Sequence, residues 1–199
     1  MESHLPIYIK SSSLKCLIVG GGAVAARKTN MLISHGILPH IIAPEICELM
    51  QQHVHTHKLT YIKRYYRDGD SMGFSMVIAA TNNKVLNEEI SRSCSQNCLI
   101  NDTSNPLNSN FILPAIVNHG SIKIAISTLG KLPYLAKKLA QKIELNLNPN
   151  IESKILVAEE KRKEILRECE GDKRLKQLRM INELTPLIDA ITKSALLTE

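Results

Sequence analysis

Strand-like apolar runs alternate with helically spaced segments along the first half of this chain, and the alternation stops near residue 110. Residues 14–19, 37–43 and 76–83 each hold a run of consecutive apolar positions (16–19, 41–43 and 76–80), the pattern of strands buried on both faces of a parallel sheet. Residues 59–65 and 98–101 read as further strands, and residues 5–9 as a short strand or lead-in before the turn Ser11-Ser12-Ser13. Residues 23–34, 45–52 and 85–95 read as helices, the first stopping at His35-Gly36. This order predicts a Rossmann-type α/β domain over residues 1–112.

Beyond a polar loop at residues 101–110 the pattern changes. Residues 111–117 and 121–127 flank the turn Asn118-His119-Gly120 and predict a hairpin outside the parallel sheet, followed by a helix over residues 134–146. Together they form a central α+β region at 113–147. Residues 148–199 read as a helical C-terminal region in which Gly171-Asp172 separates two helices and Pro186 starts or kinks the last one. Its mixed charge is that of a solvated helix face.

The first strand runs into Leu17-Ile18-Val19-Gly20-Gly21-Gly22-Ala23-Val24-Ala25-Ala26. Gly20-x-Gly22-x-x-Ala25, set between a strand and a helix, fits the dinucleotide fingerprint with alanine as its third small residue. Gly20 suits the tight turn, Gly22 the close approach of a pyrophosphate, and Ala25 close packing of helix on strand. The N–H groups of Ala23 and Val24 then face the phosphates at the helix start. The second strand ends at Ala43-Pro44-Glu45, where such folds hold the adenosine ribose. With Glu45 there, and no arginine to receive a 2′-phosphate, the cofactor reads as NAD. Thr81, at the end of a neighbouring strand, lines the cofactor side of the cleft.

Composition narrows the partners. A net charge of +6 favours an acidic ligand, while 4% aromatic residues and no Trp leave little for stacking single-stranded nucleic acid. No apolar run reaches the ~20 residues of a membrane span. The N-terminus has no signal-peptide pattern, and five scattered cysteines suit a reducing cytoplasm. No metal site is expected. Cys94 and Cys98 sit four apart, as on one helix face, but no second ligand pair accompanies them. His53, His55 and His57 alternate as on one side of a strand, without carboxylate or thiol, and read as a solvated lead-in to the next strand.

Four motifs occur in order: Val19-Gly20-Gly21-Gly22-Ala23-Val24-Ala25-Ala26-Arg27-Lys28; Ala79-Ala80-Thr81-Asn82-Asn83; Phe111-Ile112-Leu113-Pro114-Ala115; and Ile124-Ala125-Ile126-Ser127-Thr128-x-Gly130-Lys131-x-Pro133-x-Leu135-Ala136. Together they resemble the precorrin-2 dehydrogenase family of sirohaem synthesis, in a stand-alone form without an appended methyltransferase domain. The resemblance implies a cytoplasmic, NAD-dependent homodimer whose central region mediates dimerisation and which oxidises precorrin-2 to sirohydrochlorin. A bifunctional dehydrogenase and ferrochelatase is one alternative, and a non-catalytic tetrapyrrole- or nucleotide-binding sensor another. The implied substrate carries eight carboxylates, for which Lys131, with Lys137 and Lys138 behind it, is a suitable receptor.

In one respect the chain departs from that family. Members commonly carry a functionally important aspartate seven residues before the phenylalanine of the Phe-Ile-x-Pro segment, and that position is Ser104 in this chain. The nearby carboxylate is Asp102. Either Asp102 takes over, or proton transfer runs through water, or a metal-handling step is lost. Asp102 and Ser104 are therefore the catalytic candidates, with Asn101 and Thr103 beside the macrocycle. Thr128, where multifunctional relatives can carry a regulatory serine, reads as a turn hydroxyl.

Overall fold

The computed structural model describes residues 4–94 and 97–195; Ser95, where a helix end was expected, and the terminal residues 1–3 and 196–199 lie outside them. The chain divides into two compact units, residues 1–113 and 114–199.

The first unit holds a five-stranded parallel sheet in the order β3-β2-β1-β4-β5, with β1 at Cys16–Val19, β2 at His40–Ala43, β3 at Tyr61–Lys63, β4 at Met76–Ala79 and β5 at Leu99–Asp102. Three helices cover it: α1 at Ala23–Ile33, α2 at Glu48–His57 and α3 at Lys84–Ser93. Alternate strand residues serve opposite faces. Ile18, Ile41 and Ile78 pack with Ala25, Ala26 and Leu32 of α1 and Met50 of α2. Leu17, Val19, Ile42 and Val77 pack with Ile90 of α3. Burial on both faces explains the uninterrupted apolar runs. The three isoleucines are fully buried, and each contributes about 1.5–3 kcal/mol.

Helix ends follow local chemistry. Asn83 caps α3 by accepting the N–H groups of Val85 and Leu86. Gly36, at φ +76°, lets the chain leave α1. α2 ends instead at Lys58 with φ +51°, a left-handed conformation without the glycine that favours it.

Two local expectations are corrected. The three histidines lie on α2, not on a strand: Met50 and Val54, four apart, face the core and continue the helical period through the alternating stretch. His53 and His57 share a face with ring centroids 6.3 Å apart, and His55 points elsewhere on the helix. Cys94 caps the end of α3 and Cys98 precedes β5, so they do not share a helix face. Of the two readings of residues 5–9, the lead-in is the one observed, without a strand. Among the described residues no three His, Cys, Asp or Glu side chains are grouped to hold a metal ion, and no helix is long and apolar enough to cross a membrane.

In the second unit β6 (Ala115–His119) and β7 (Ile122–Ile126) form the antiparallel hairpin. α4 (Pro133–Asn146) packs Ala140 and Ile143, with Leu147 just beyond it, onto Val117 and Ile124. α5 (Ile151–Glu168), α6 (Lys173–Arg179), a π-helical turn at Met180–Leu184 and α7 (Thr185–Ser194) complete it around Ala158, Ile165, Cys169 and Leu184. Gly171 separates α5 from α6 at φ +87°, and Pro186 stands in the first turn of α7. Glu152 of α5 accepts both the N–H and the hydroxyl of Ser121 at the hairpin turn (2.7 and 2.6 Å). Arg179 gathers Glu164, Glu168 and Glu183, so the charged face predicted as merely solvated also ties α5 to the π turn.

Candidate functional site

Parallel strands deliver their following loops to one edge of the sheet, and at β1 that edge is built by close backbone packing. Gly20 has φ +124°, and a Cβ there would lie 2.2 Å from the carbonyl oxygen of Ala80. Gly21 is equally constrained: a Cβ would meet the Glu45 carbonyl oxygen at 2.0 Å, and the Gly21 carbonyl accepts the Cys47 N–H at 2.8 Å. Sequence reasoning treated Gly21 as a variable position, because the segment it packs against lies 24 residues on. Gly22 differs. It is the N-cap of α1 at φ −80°, and nothing lies within 4 Å of where its Cβ would be.

No side chain caps the first turn of α1, and no acidic residue stands in it. The leading N–H groups, on Ala23 and Val24 among others, are thus donors at the positive end of a helix dipole. An open glycine beside such donors leaves a cradle for a diphosphate, so these residues fit a dinucleotide. Ala25 and Ala26, both fully buried, bring the helix close to the sheet. Pro44 and Glu45 follow β2 on the same edge, and Glu45 is exposed with its backbone over Gly21. Burial and then the charge of Glu45 raise the pKa of Tyr61 on β3.

Thr81 follows β4, but its hydroxyl is turned inward. It donates to Oδ1 of Asn87 at 2.6 Å, the same atom accepts the Thr81 N–H at 3.1 Å, and the Asn87 amide returns a hydrogen bond to the Thr81 carbonyl at 3.1 Å. Asn87 sits within α3, is fully buried, and also donates to Oγ of Ser104 at 3.1 Å. A polar residue on the inner face of an otherwise amphipathic helix was the available sequence signal.

β5 carries the remaining candidates. Its register sets Asp102 opposite Ala79, at the strand's carboxyl end. Counting back from Phe111 to Ser104 crosses the 3₁₀ turn Pro106–Asn108, whose length the strand register does not constrain. Asp102 is 2% exposed, and its carboxylate accepts the Ser104 N–H (2.8 Å), the Ser104 hydroxyl (2.6 Å), the Asn105 N–H (3.1 Å) and the Asn108 amide (2.9 Å). Burial pushes its pKa up, but these hydrogen bonds together hold it below the usual carboxylate range, led by that from Ser104. Asp102 is an ionised, fully satisfied anchor of the loop.

The Asp102 N–H donates to Ser109 Oγ at 2.9 Å, and Asn110 pairs with Ile100 and Cys98, so the returning loop closes the outer edge of β5. Thr103 extends the pairing to the Ala79 carbonyl at 3.0 Å. Asn101 donates to the Phe111 carbonyl at 3.3 Å, while its Oδ1 is buried without a partner. Gly20, Gly22, Ala23, Val24, Pro44, Glu45, Thr81, Asn101, Asp102, Thr103 and Ser104 thus belong to the carboxyl edge of one sheet. Lys131 belongs to the second unit, exposed in the turn before α4.

Residues 7–115 match the family described as "Putative NAD(P)-binding". The chain belongs to that NAD(P)-binding family. Among proteins similar to it, the siroheme synthase of Vesicomyosocius okutanii subsp. Calyptogena okutanii is 38% identical over 146 residues, 73% of this chain and 31% of that protein. The siroheme synthase of Photorhabdus laumondii is 34% identical over 142 residues, 71% of this chain and 30% of that protein. The chain thus spans under a third of the length of these relatives. A solved structure titled SirC, precorrin-2 dehydrogenase shares the fold with a TM-score of 0.73 at 18% identity, over 96% of this chain and 100% of that one. Relatives and neighbour are of the kind the ordered motifs resemble, and the α/β fold with a helical C-terminal region is the one expected.

Proposed function

We propose that this chain oxidises precorrin-2 to sirohydrochlorin with NAD as hydride acceptor, as a cytoplasmic homodimer. The observation that carries the reading is one sheet edge bearing both an open diphosphate cradle at Gly22 and an ionised carboxylate, Asp102, two strands away. Siroheme synthases among the relatives and a precorrin-2 dehydrogenase of the same fold support the choice of substrate.

In this reading Gly22, Ala23 and Val24 hold the diphosphate, and Pro44 and Glu45 border the adenosine ribose. Glu45 at the ribose end of the cradle favours NAD over NADP. When bound, the nicotinamide supplies the hydride acceptor. A hydride and a proton leave the macrocycle, and the protein handles the proton. Ser104 Oγ takes it as the serine's own hydrogen passes to Asp102 Oδ1, 2.6 Å away. The lowered pKa of Asp102 means the proton is not retained at neutral pH and returns to water. Asn101 and Thr103 flank this pair on the macrocycle side. Lys131, Lys137 and Lys138 receive the substrate's carboxylates. The dimer is supported by α4, which leaves Leu135 and Leu139 exposed one turn apart, a face a second copy would cover.

The test mixes the protein with NAD and precorrin-2 generated in situ, with and without ferrous iron, and follows the spectrum. NAD-dependent sirohydrochlorin formation is expected. No such formation refutes the proposal, and sirohaem appearing faster than its uncatalysed rate adds a chelatase activity.

A further inference from the structure

The hydrogen bonds joining α3 to the loop after β5 have a single direction. Oδ1 of Asn87 faces the Thr81 backbone N–H at 3.1 Å, and a backbone N–H can only donate. The amide therefore cannot be turned over, and its nitrogen must face Ser104 Oγ at 3.1 Å. That nitrogen also only donates, so Ser104 Oγ accepts on this side. The serine's one hydrogen is left for Asp102 Oδ1 at 2.6 Å. All four hydrogen-bonding positions of the Asn87 amide are used, two on oxygen and two on nitrogen. A fully satisfied buried amide of this kind specifies one arrangement and penalises others.

We propose that Asn87 is a positioning residue, which fixes the direction of the Ser104 hydroxyl and thereby maintains Asp102 as the ionised acceptor at the reacting edge. Asn87 touches neither cofactor nor substrate in this account, which rests on the reading given under Proposed function. It acts through Ser104, and through Thr81 it also holds the loop after β4 in step with the loop after β5. The groups acting on the Asp102 carboxylate are the N–H and hydroxyl of Ser104, the N–H of Asn105 and the side chain of Asn108, all neutral. Among the described residues no charged side chain of β4, α3 or the 3₁₀ turn contributes, so the direction of the serine hydroxyl is the adjustable element.

The isosteric variant Asn87→Asp reverses the chain, because a carboxylate at 87 accepts the Ser104 hydrogen and Asp102 loses it. Its added negative charge raises the proton affinity of Asp102 in the same direction, so the neutral Ser104→Ala is the variant that isolates the hydrogen bond. The expected result is about a tenfold rise in proton affinity of Asp102, read by carbon NMR of labelled aspartates against pH and assigned with Asp102→Asn. The acid limb of the kcat profile should move with it, while KM for NAD stays within about threefold, since the phosphate cradle is untouched. Ser104→Ala breaks the same link without altering α3, and should raise the Asp102 proton affinity at least about threefold even if Asn87→Asp does not fold. An Asp102 titration unchanged in Ser104→Ala, or unchanged in a folded Asn87→Asp, overturns the proposal and leaves Asn87 a packing residue. The titration needs no substrate, so a wild-type protein that fails to oxidise precorrin-2 refutes the functional reading while the NMR result still decides the role of Asn87.

Discussion

Gly21 and Gly22 are neighbours in sequence, yet substituting each with alanine should have opposite consequences. At Gly21 the added methyl would stand 2.0 Å from the Glu45 carbonyl oxygen, 2.9 Å from its carbon and 2.8 Å from Ile46 Cγ2. A normal carbon–oxygen contact is over an ångström longer, so the segment after β2 must move. That movement also breaks the 2.8 Å hydrogen bond from Cys47 to the Gly21 carbonyl. Overpacking costs about 1–3 kcal/mol and the lost hydrogen bond about 1 kcal/mol more, for a destabilisation of about 2–4 kcal/mol. At about 2–4 °C per kcal/mol for a chain of this size, the melting temperature should fall by about 4–16 °C. At Gly22 the methyl meets nothing, and φ −80° suits alanine. The cost is a poorer N-cap, at most about 1 kcal/mol. The same methyl occupies the space a diphosphate must enter, however, so NADH affinity should fall about 10–100-fold, or 1.4–2.8 kcal/mol. Thermal melts and NADH titration by fluorescence separate the two effects. Wild-type NADH affinity in Gly22→Ala would refute the cradle, and a wild-type melt in Gly21→Ala would refute the packing argument.

Further outcomes follow from single sites. Lys58→Gly should raise stability by about 0.5–1 kcal/mol, because the left-handed residue ending α2 no longer carries a Cβ; urea denaturation reads it. The carboxyl of Asp102 titrates lower in the folded protein than in the unfolded chain, so its contribution is complete above the unfolded value near 3.8 and is lost as pH falls through the lower folded value. Asp102→Asn should remove that acid-limb loss while lowering stability at pH 7, measured by urea unfolding from pH 7 to 3. Burial pushes the Cys16 and Cys94 thiols up to about 12, so both should escape iodoacetamide at pH 8 in the native protein and react once it is unfolded, as peptide mass spectrometry would record.

Much of the fold was legible because its signals are local. Strand runs, the hairpin turn and the stop at Gly36 depend on neighbours a few residues apart. The histidines misled for the same reason: alternation over residues 53–57 mimics a strand, and the competing signal, Met50 with Val54 against the core, spans a helical turn. In the site, the glycine turn and the strand ends were readable. The count that singled out Ser104 crossed a loop, where spacing carries no register, whereas β-sheet pairing set Asp102 at the end of its strand.

By itself the sequence determined a parallel α/β domain with a dinucleotide turn, an antiparallel hairpin and a helical tail, since periodicity and turn chemistry are written within single elements. Only the tertiary structure decided which glycines are sterically obligatory, where Thr81 directs its hydroxyl, and how Asn87 orients Ser104 toward Asp102. Those outcomes rest on Gly20 against Ala80, Gly21 against Glu45 and Asn87 against Ser104, contacts between residues that only chain folding brings within a few ångströms.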